Sequence, residues 1–167
     1  MIKKNSLSYF LLLGLEKSIQ SGVLLMDFAY NSHLYVYPGR DPREINYGAL
    51  YQAVRDLREK GFIETEKDGS KLLLKLTETG RQEAIIRKLL TEEVLDGKWR
   101  VVIFDIPEKH KKLRHALRWK LREWEFIPWQ KSVWISKKDL VVPLRNFINE
   151  IDISQWVKVF TAEDINL

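Results

Sequence analysis

The 167-residue sequence contains no cysteine. That absence removes a disulfide framework, a thiolate zinc site and a cysteine nucleophile at once. Histidine is scarce, at three residues; His110 and His115 stand five positions apart, poor spacing for zinc, and His33 lies far off, so no metal is assigned. No apolar run approaches the roughly 18–20 residues that cross a bilayer, so no membrane partner is expected. The opening "MIKKNSLSYFLLLGLEKS" imitates a signal peptide, but the greasy stretch breaks at Glu16-Lys17 and no small-residue cleavage site follows. It reads as the first buried helix of a domain. The sequence has no internal repeat and no low-complexity segment, and a cytoplasmic protein fits these absences best.

What is present is basic and unevenly spread. The net charge of +5 and pI near 9.3 suit a polyanion partner. Residues 1–95 carry 14 Lys+Arg against 13 Asp+Glu, whereas residues 96–167 carry 14 against 10. All six tyrosines lie in the first half and all six tryptophans in the second, which fits two separate cores. The junction falls in "LLTEEVLDGKW", where a helical pattern ends in Asp96-Gly97 and a strand begins. The expected domains are therefore 1–95 and 96–167.

In the first half, residues 7–17 and 20–30 read as short apolar helices. "SHLYVYPGRDPRE" follows as an extended or loop segment, broken by Pro38-Gly39 and Pro42. "INYGALYQAVRDLREKG" is amphipathic, with Asn46 as N-cap and Gly61 as terminator. Leu50, Ala53, Val54 and Leu57 share one face at helical spacing; Tyr47, Tyr51, Arg55 and Arg58 share another. "FIETEKDGSKLLLKLT" reads as a hairpin turning at Asp68-Gly69, and Thr77 to Leu90 as a helix. Helix, helix, amphipathic helix and hairpin is the order of a winged helix-turn-helix, with helix 46–60 as groove reader and 62–76 as wing.

The second half alternates cleanly. Trp99–Phe104 is an expected buried strand, and Glu108–Glu125 a helix with Leu113, Ala116, Leu117, Leu121 and Trp124 on its inner stripe. Phe126–Gln130 and Lys131–Ser136 read as strands, Asp139–Ile148 as a helix and Trp156–Phe160 as a final strand. The order β-α-β-β-α-β is ferredoxin-like, an α+β arrangement with both helices on one sheet face. The other face is left to pack on something else, commonly a second copy.

The motifs "FDIPE" (Phe104 to Glu108) and "WQKSVW" (Trp129 to Trp134), with "LYQAVRDLREKGFIE" and "LTETG" upstream, resemble the phenylacetate-degradation repressor family (PaaX-like). The resemblance covers nearly the whole chain. Its middle domain is similar to the CRISPR-associated endoribonuclease of the spacer-integration complex. It implies a DNA-binding transcriptional regulator that dimerises. Full repressors of the family continue into a third domain that these residues do not include, so the small-molecule effector is left unassigned.

On the groove-reading helix, Arg55 could pair bidentately with guanine, Gln52 could read adenine, and Tyr47 and Tyr51 could meet phosphates or a thymine methyl. Arg58, a turn further on, would touch a phosphate, as would Lys67 and Lys71 beside the wing turn. A solvated helix face is the plainer account of the same pattern, and a protein-binding scaffold a third reading. Asp105 is the other candidate. In the CRISPR-associated relatives an aspartate ending the first strand faces its twin across the dimer axis. The resemblance therefore implies an alternative, a nuclease using Asp105 of two protomers and Mg²⁺ to activate water. The favoured reading is local: Asp105 as N-cap, Pro107 in the first turn and Glu108 at capping-box spacing. Lys111, Arg114, His115, Arg118 and Arg122 read as a charged outer helix face, with a phosphate-contacting surface as alternative. The tryptophans read mostly as core or dimer interface; Trp119 sits beside the inner stripe, a candidate for a domain or subunit contact.

Overall fold

A computed structural model describes residues 2, 6–18, 22–31, 46–91 and 95–165. The chain is mixed α+β and divides into two compact units, Met1–Lys88 and Leu89–Leu167.

The first unit opens with α1 (Leu7–Lys17), whose Ser6 caps it by accepting from the Tyr9 N–H at 3.2 Å. Every residue from Tyr9 to Leu15 is buried, as befits a helix apolar on all sides. The expected helix over 20–30 is not continuous. A short strand β1 (Val23–Leu24) comes before α2 (Leu25–Tyr30), and residues 19–21 lie outside the described set. The cause is tertiary: Val23 and Leu24 pair with Leu74 and Leu73. Gly22 permits this, because a Cβ there would meet the Leu74 carbonyl oxygen at 2.8 Å.

Helix α3 (Tyr47–Glu59) forms as the pattern requires. The Asn46 side chain accepts from the Ala49 N–H at 3.2 Å, and Leu50, Ala53, Val54 and Leu57 are buried. Gly61, at φ 70°, ends it in the left-handed region, with the Phe62 N–H returning to the Leu57 carbonyl at 2.9 Å. Strands β2 (Ile63–Asp68) and β3 (Lys71–Leu76) form the hairpin, with Asp68 opposite Lys71 and Gly69 at φ 59° in the turn. The sheet order is β1-β3-β2.

Helix α4 (Glu78–Thr91) is tied back to this hairpin through Thr77. The Thr77 hydroxyl accepts from the Gly80 N–H at 3.0 Å and donates to the Gly61 carbonyl at 2.6 Å. The resulting approach is so close that a Cβ on Gly80 would stand 1.8 Å from the Phe62 carbonyl oxygen. Leu11, Leu12, Phe28, Leu50, Leu57, Ile63 and Leu74 form the heart of this unit. The loop expected over 32–44, with His33, lies outside the described residues, and so does the connection that the helix-turn-helix expectation would need.

The second unit runs β4 (Trp99–Phe104), a 3₁₀ turn (Glu108–His110), α5 (Lys111–Glu123), β5 (Ile127–Gln130), β6 (Val133–Ser136), α6 (Val141–Glu150) and β7 (Val157–Ala162). Its antiparallel sheet has the order β5-β6-β4-β7, compatible with the ferredoxin-like expectation. One face meets the helices. The Arg118 guanidinium lies 5.5 Å from the Phe104 ring centroid, Arg122 lies 5.4 Å from that of Trp134, and Arg145 donates to the Val159 carbonyl at 3.3 Å. Ladder β5–β6 carries a bulge between Pro128 and Gln130. At the start of β4, buried Arg100 is clamped by Asp96 at 2.6 Å and Asp139 at 3.0 Å. Those N–H groups hold the Asp96 carboxyl down at about 2.

One expectation for this unit needs correction. Asp105 caps nothing: its N–H donates to the Trp156 carbonyl at 2.9 Å, so the residue extends the β4–β7 ladder. Pro107, at ψ 152°, keeps the chain extended and takes the cap position before the 3₁₀ turn. Glu108 does not reach back to the chain but pairs with Arg114 at 2.6 Å. Of the two strand tryptophans expected in core or interface, Trp134 is buried, while Trp129 sits in the bulge and is half-exposed.

Candidate nucleic-acid interface

Helix α3 divides as an amphipathic helix must. With Leu50, Ala53, Val54 and Leu57 held in the core, Tyr47, Tyr51, Gln52, Arg55 and Arg58 are all exposed. The polar groups on this face are ordered. Gln52 donates to the Asp56 carboxylate at 2.7 Å and accepts from the Arg55 guanidinium through its side-chain carbonyl. Asp56 therefore orients Gln52, and Gln52 steadies Arg55, which leaves the remaining Arg55 N–H groups pointed at solvent. Arg58 makes no ion pair among the described residues.

Tyr30, at the end of α2, joins this face. The neighbouring Tyr30 phenol favours the neutral Tyr47 hydroxyl, the form that can donate to it, and so pushes the Tyr47 phenol up. Both rings are exposed, so two elements present adjacent aromatic rims. Local patterning treats Tyr30 as the last residue of an apolar helix; its placement depends on how α2 meets α3, which spacing does not encode.

The two hairpin lysines, Lys67 and Lys71, are separated. Lys67 pairs in register with Leu72, on the sheet side that carries Leu74, while Lys71 shares the opposite side with Leu73 and Lys75. Both are exposed and free of ion pairs among the described residues, but a flat surface meets only one of them. Lys75 is neutralised by Glu66 at 2.5 Å, which draws the Glu66 carboxyl down.

In the second unit, Asp105 is exposed and its carboxylate makes no hydrogen bond or ion pair among the described residues. It alternates with Ile103 and Val101 on the far face of the sheet, away from α5 and α6. That face holds a continuous cross-strand row, Phe160–Val101–Ile135–Ile127. The middle pair is buried, while the ends, Phe160 and Ile127, are 43% and 60% exposed. Beside the row stand half-exposed Ile103 and its neighbour Lys158. Among the described residues no group of three or more His, Asp or Glu side chains could hold a metal. Among the described residues no helix is long and apolar enough to cross a membrane.

Comparison with known proteins bears on this second unit. Residues 92–167 match the family model described as the PaaX protein central Cas2-like domain. No curated protein matches the chain.

Proposed function

We propose that this protein is a DNA-binding transcriptional regulator, a repressor acting as a homodimer, that reads double-stranded DNA with helix 46–60 and the hairpin 62–76 of a winged helix-turn-helix. The observation that carries the proposal is the ordered exposed face of α3, joined in one chain to a unit that matches the PaaX central domain. A helix entering the major groove needs donors held ready at its outer surface. The Asp56–Gln52–Arg55 relay supplies them, so Arg55 meets guanine with less freedom to lose. Tyr47 and Tyr51 reach phosphate oxygens or a thymine methyl, Arg58 and one wing lysine the backbone, and Tyr30 widens the aromatic rim.

Dimerisation uses the far sheet face. Its apolar row matches itself when two copies meet about a two-fold axis, as isologous contacts require. Each protomer then brings one α3 to one half-site. The regulator is tested by capturing genomic fragments with the full chain and comparing wild type with Arg55→Ala. One lost base contact lowers the preference for selected over random DNA by about 1–3 kcal/mol. An unchanged preference refutes the reading.

A second reading has its own observation, the unpartnered Asp105 carboxylate on the same face as the apolar row. Mg²⁺ takes an octahedral set of oxygens, often only one or two of them carboxylate. One Asp105 supplies a single ligand, and two copies across the face would supply a pair. An endonuclease of this kind nicks DNA only with Mg²⁺ or Mn²⁺ and stops in Asp105→Asn. Nicking that survives the substitution, or its absence from the wild type, ends this reading.

A further inference from the structure

Helix α5 carries more positive charge than its packing uses. Between Lys109 and Arg122 there are seven lysines and arginines and no acid. Three make hydrogen bonds or ion pairs: Arg114 with Glu108 at 2.6 Å, Arg118 with the Lys131 carbonyl at 2.8 Å and Lys120 with Glu123 at 3.0 Å; Arg122 also lies over the Trp134 ring at 5.4 Å while its side chain stays exposed. Lys111, Lys112 and Arg122 make no ion pair among the described residues. On the outer side, Lys111, His115, Trp119 and Arg122 fall at i, i+4, i+8 and i+11, one continuous stripe opposite buried Leu117 and Leu121.

A charged stripe alone is an ordinary solvated surface. The second observation is Trp119, 56% exposed in the middle of it. Beyond the Lys120 ammonium 5.2 Å from its ring centroid, packing gives it no reason, because Leu117, Leu121 and Trp124 already fill the inner side. A sugar–phosphate backbone fits this mixture. Ammonium and guanidinium groups neutralise phosphates, the indole N–H donates to a phosphate oxygen, and the flat ring covers deoxyribose. Two features favour duplex DNA over a lipid surface: the stripe has one large apolar residue rather than an apolar face, and the helix's own apolar side is consumed by the sheet.

We infer that the outer stripe of α5 is a second DNA surface, one that holds phosphates without reading sequence. The inference rests on the DNA-binding reading above and gives the second unit a share in the same duplex. The stripe lies on the helix-covered side, so pairing through the far sheet face leaves it open.

The test compares the full-length wild type, the triple variant Lys111→Gln/Lys112→Gln/Arg122→Gln, and Trp119→Ala, on selected and random duplexes over a range of salt. With each phosphate contact contributing about 0.9 to the slope of log K against log salt, the triple variant flattens that slope by about 2–3. It leaves the selected-to-random ratio unchanged, the reverse of Arg55→Ala. Trp119→Ala weakens binding to both duplexes alike, and Trp119→Phe restores part of it. A wild-type slope in the triple variant, with specific binding intact, overturns this inference and spares the α3 reading. A wild type that binds no duplex at any salt sinks both. Loss of binding to phosphatidylserine-rich vesicles, with no change in the DNA slope, also overturns it.

Discussion

Replacing Gly80 by alanine adds one methyl group where the first unit has no room for it. The new Cβ would lie 1.8 Å from the Phe62 carbonyl oxygen, 2.7 Å from its carbon and 3.0 Å from its Cα. All three are backbone atoms, so no side-chain rotation relieves the contact. Reaching ordinary contact at 3.4 Å moves the start of α4 by about 1.6 Å relative to the hairpin. That displacement also strains the Thr77 hydroxyl, which bridges Gly80 and Gly61 at 3.0 and 2.6 Å. Overpacking costs about 1–3 kcal/mol and a lost cap about 0.5–2, while alanine's better helix propensity returns about 1. The net expectation is a loss of about 2 kcal/mol, confined to the first unit. The aromatic segregation supplies the assay, since all six tryptophans stand at position 99 or later. In denaturant, far-UV dichroism reports both units and selective tryptophan emission the second alone. Gly80→Ala moves the dichroism transition to lower denaturant and leaves the tryptophan transition in place. A variant within about 0.5 kcal/mol of wild type, the usual range of a neutral surface change, refutes the close approach.

Other perturbations address the second unit. Phe160→Glu places a carboxylate at one end of the far-face row. Two such charges per dimer, at about 1–3 kcal/mol each, make the protein monomeric in sedimentation at concentrations where wild type pairs, and a dimer that persists removes the face from consideration. The Asp96 carboxyl titrates at about 2 in the folded protein against 3.8 ordinarily, so its contribution is present above pH 4 and disappears as pH falls from 4 towards 2. Asp96→Asn therefore flattens that acid limb of the tryptophan-reported transition; an unaltered limb shows that Arg100 gains nothing from Asp96.

Much of this architecture was legible because its signals are local. Asn46, the Leu50/Ala53/Val54/Leu57 spacing and Gly61 define α3 without help, and the observed cap, burial and positive φ follow them. Strand β4 has its expected bounds, since a short apolar run ending in "DIP" has few other uses. What local pattern missed depends on distant residues. Val23 and Leu24 become a strand because Leu73 and Leu74 offer hydrogen bonds fifty residues away in sequence. "DIPE" has the spacing of a capping box, yet the Trp156 carbonyl claims the Asp105 N–H and holds that residue in the sheet. The same limit applies to the candidate interface. Tyr47, Tyr51 and Arg55 were readable from helical period, whereas the Tyr30 contact and the opposed directions of Lys67 and Lys71 required the docking of α2 and the hairpin register.

The irregular ladder at Pro128 has a consequence for how copies of this chain can meet. A regular sheet edge invites a further strand, and open-ended addition makes fibres. Here one border lacks a donor at Pro128 and is kinked beside it, while along the opposite border Arg145 occupies the Val159 carbonyl. Neither rim offers an uninterrupted template. Lateral growth is thereby disfavoured, which suits the closed pair proposed above for reading two half-sites.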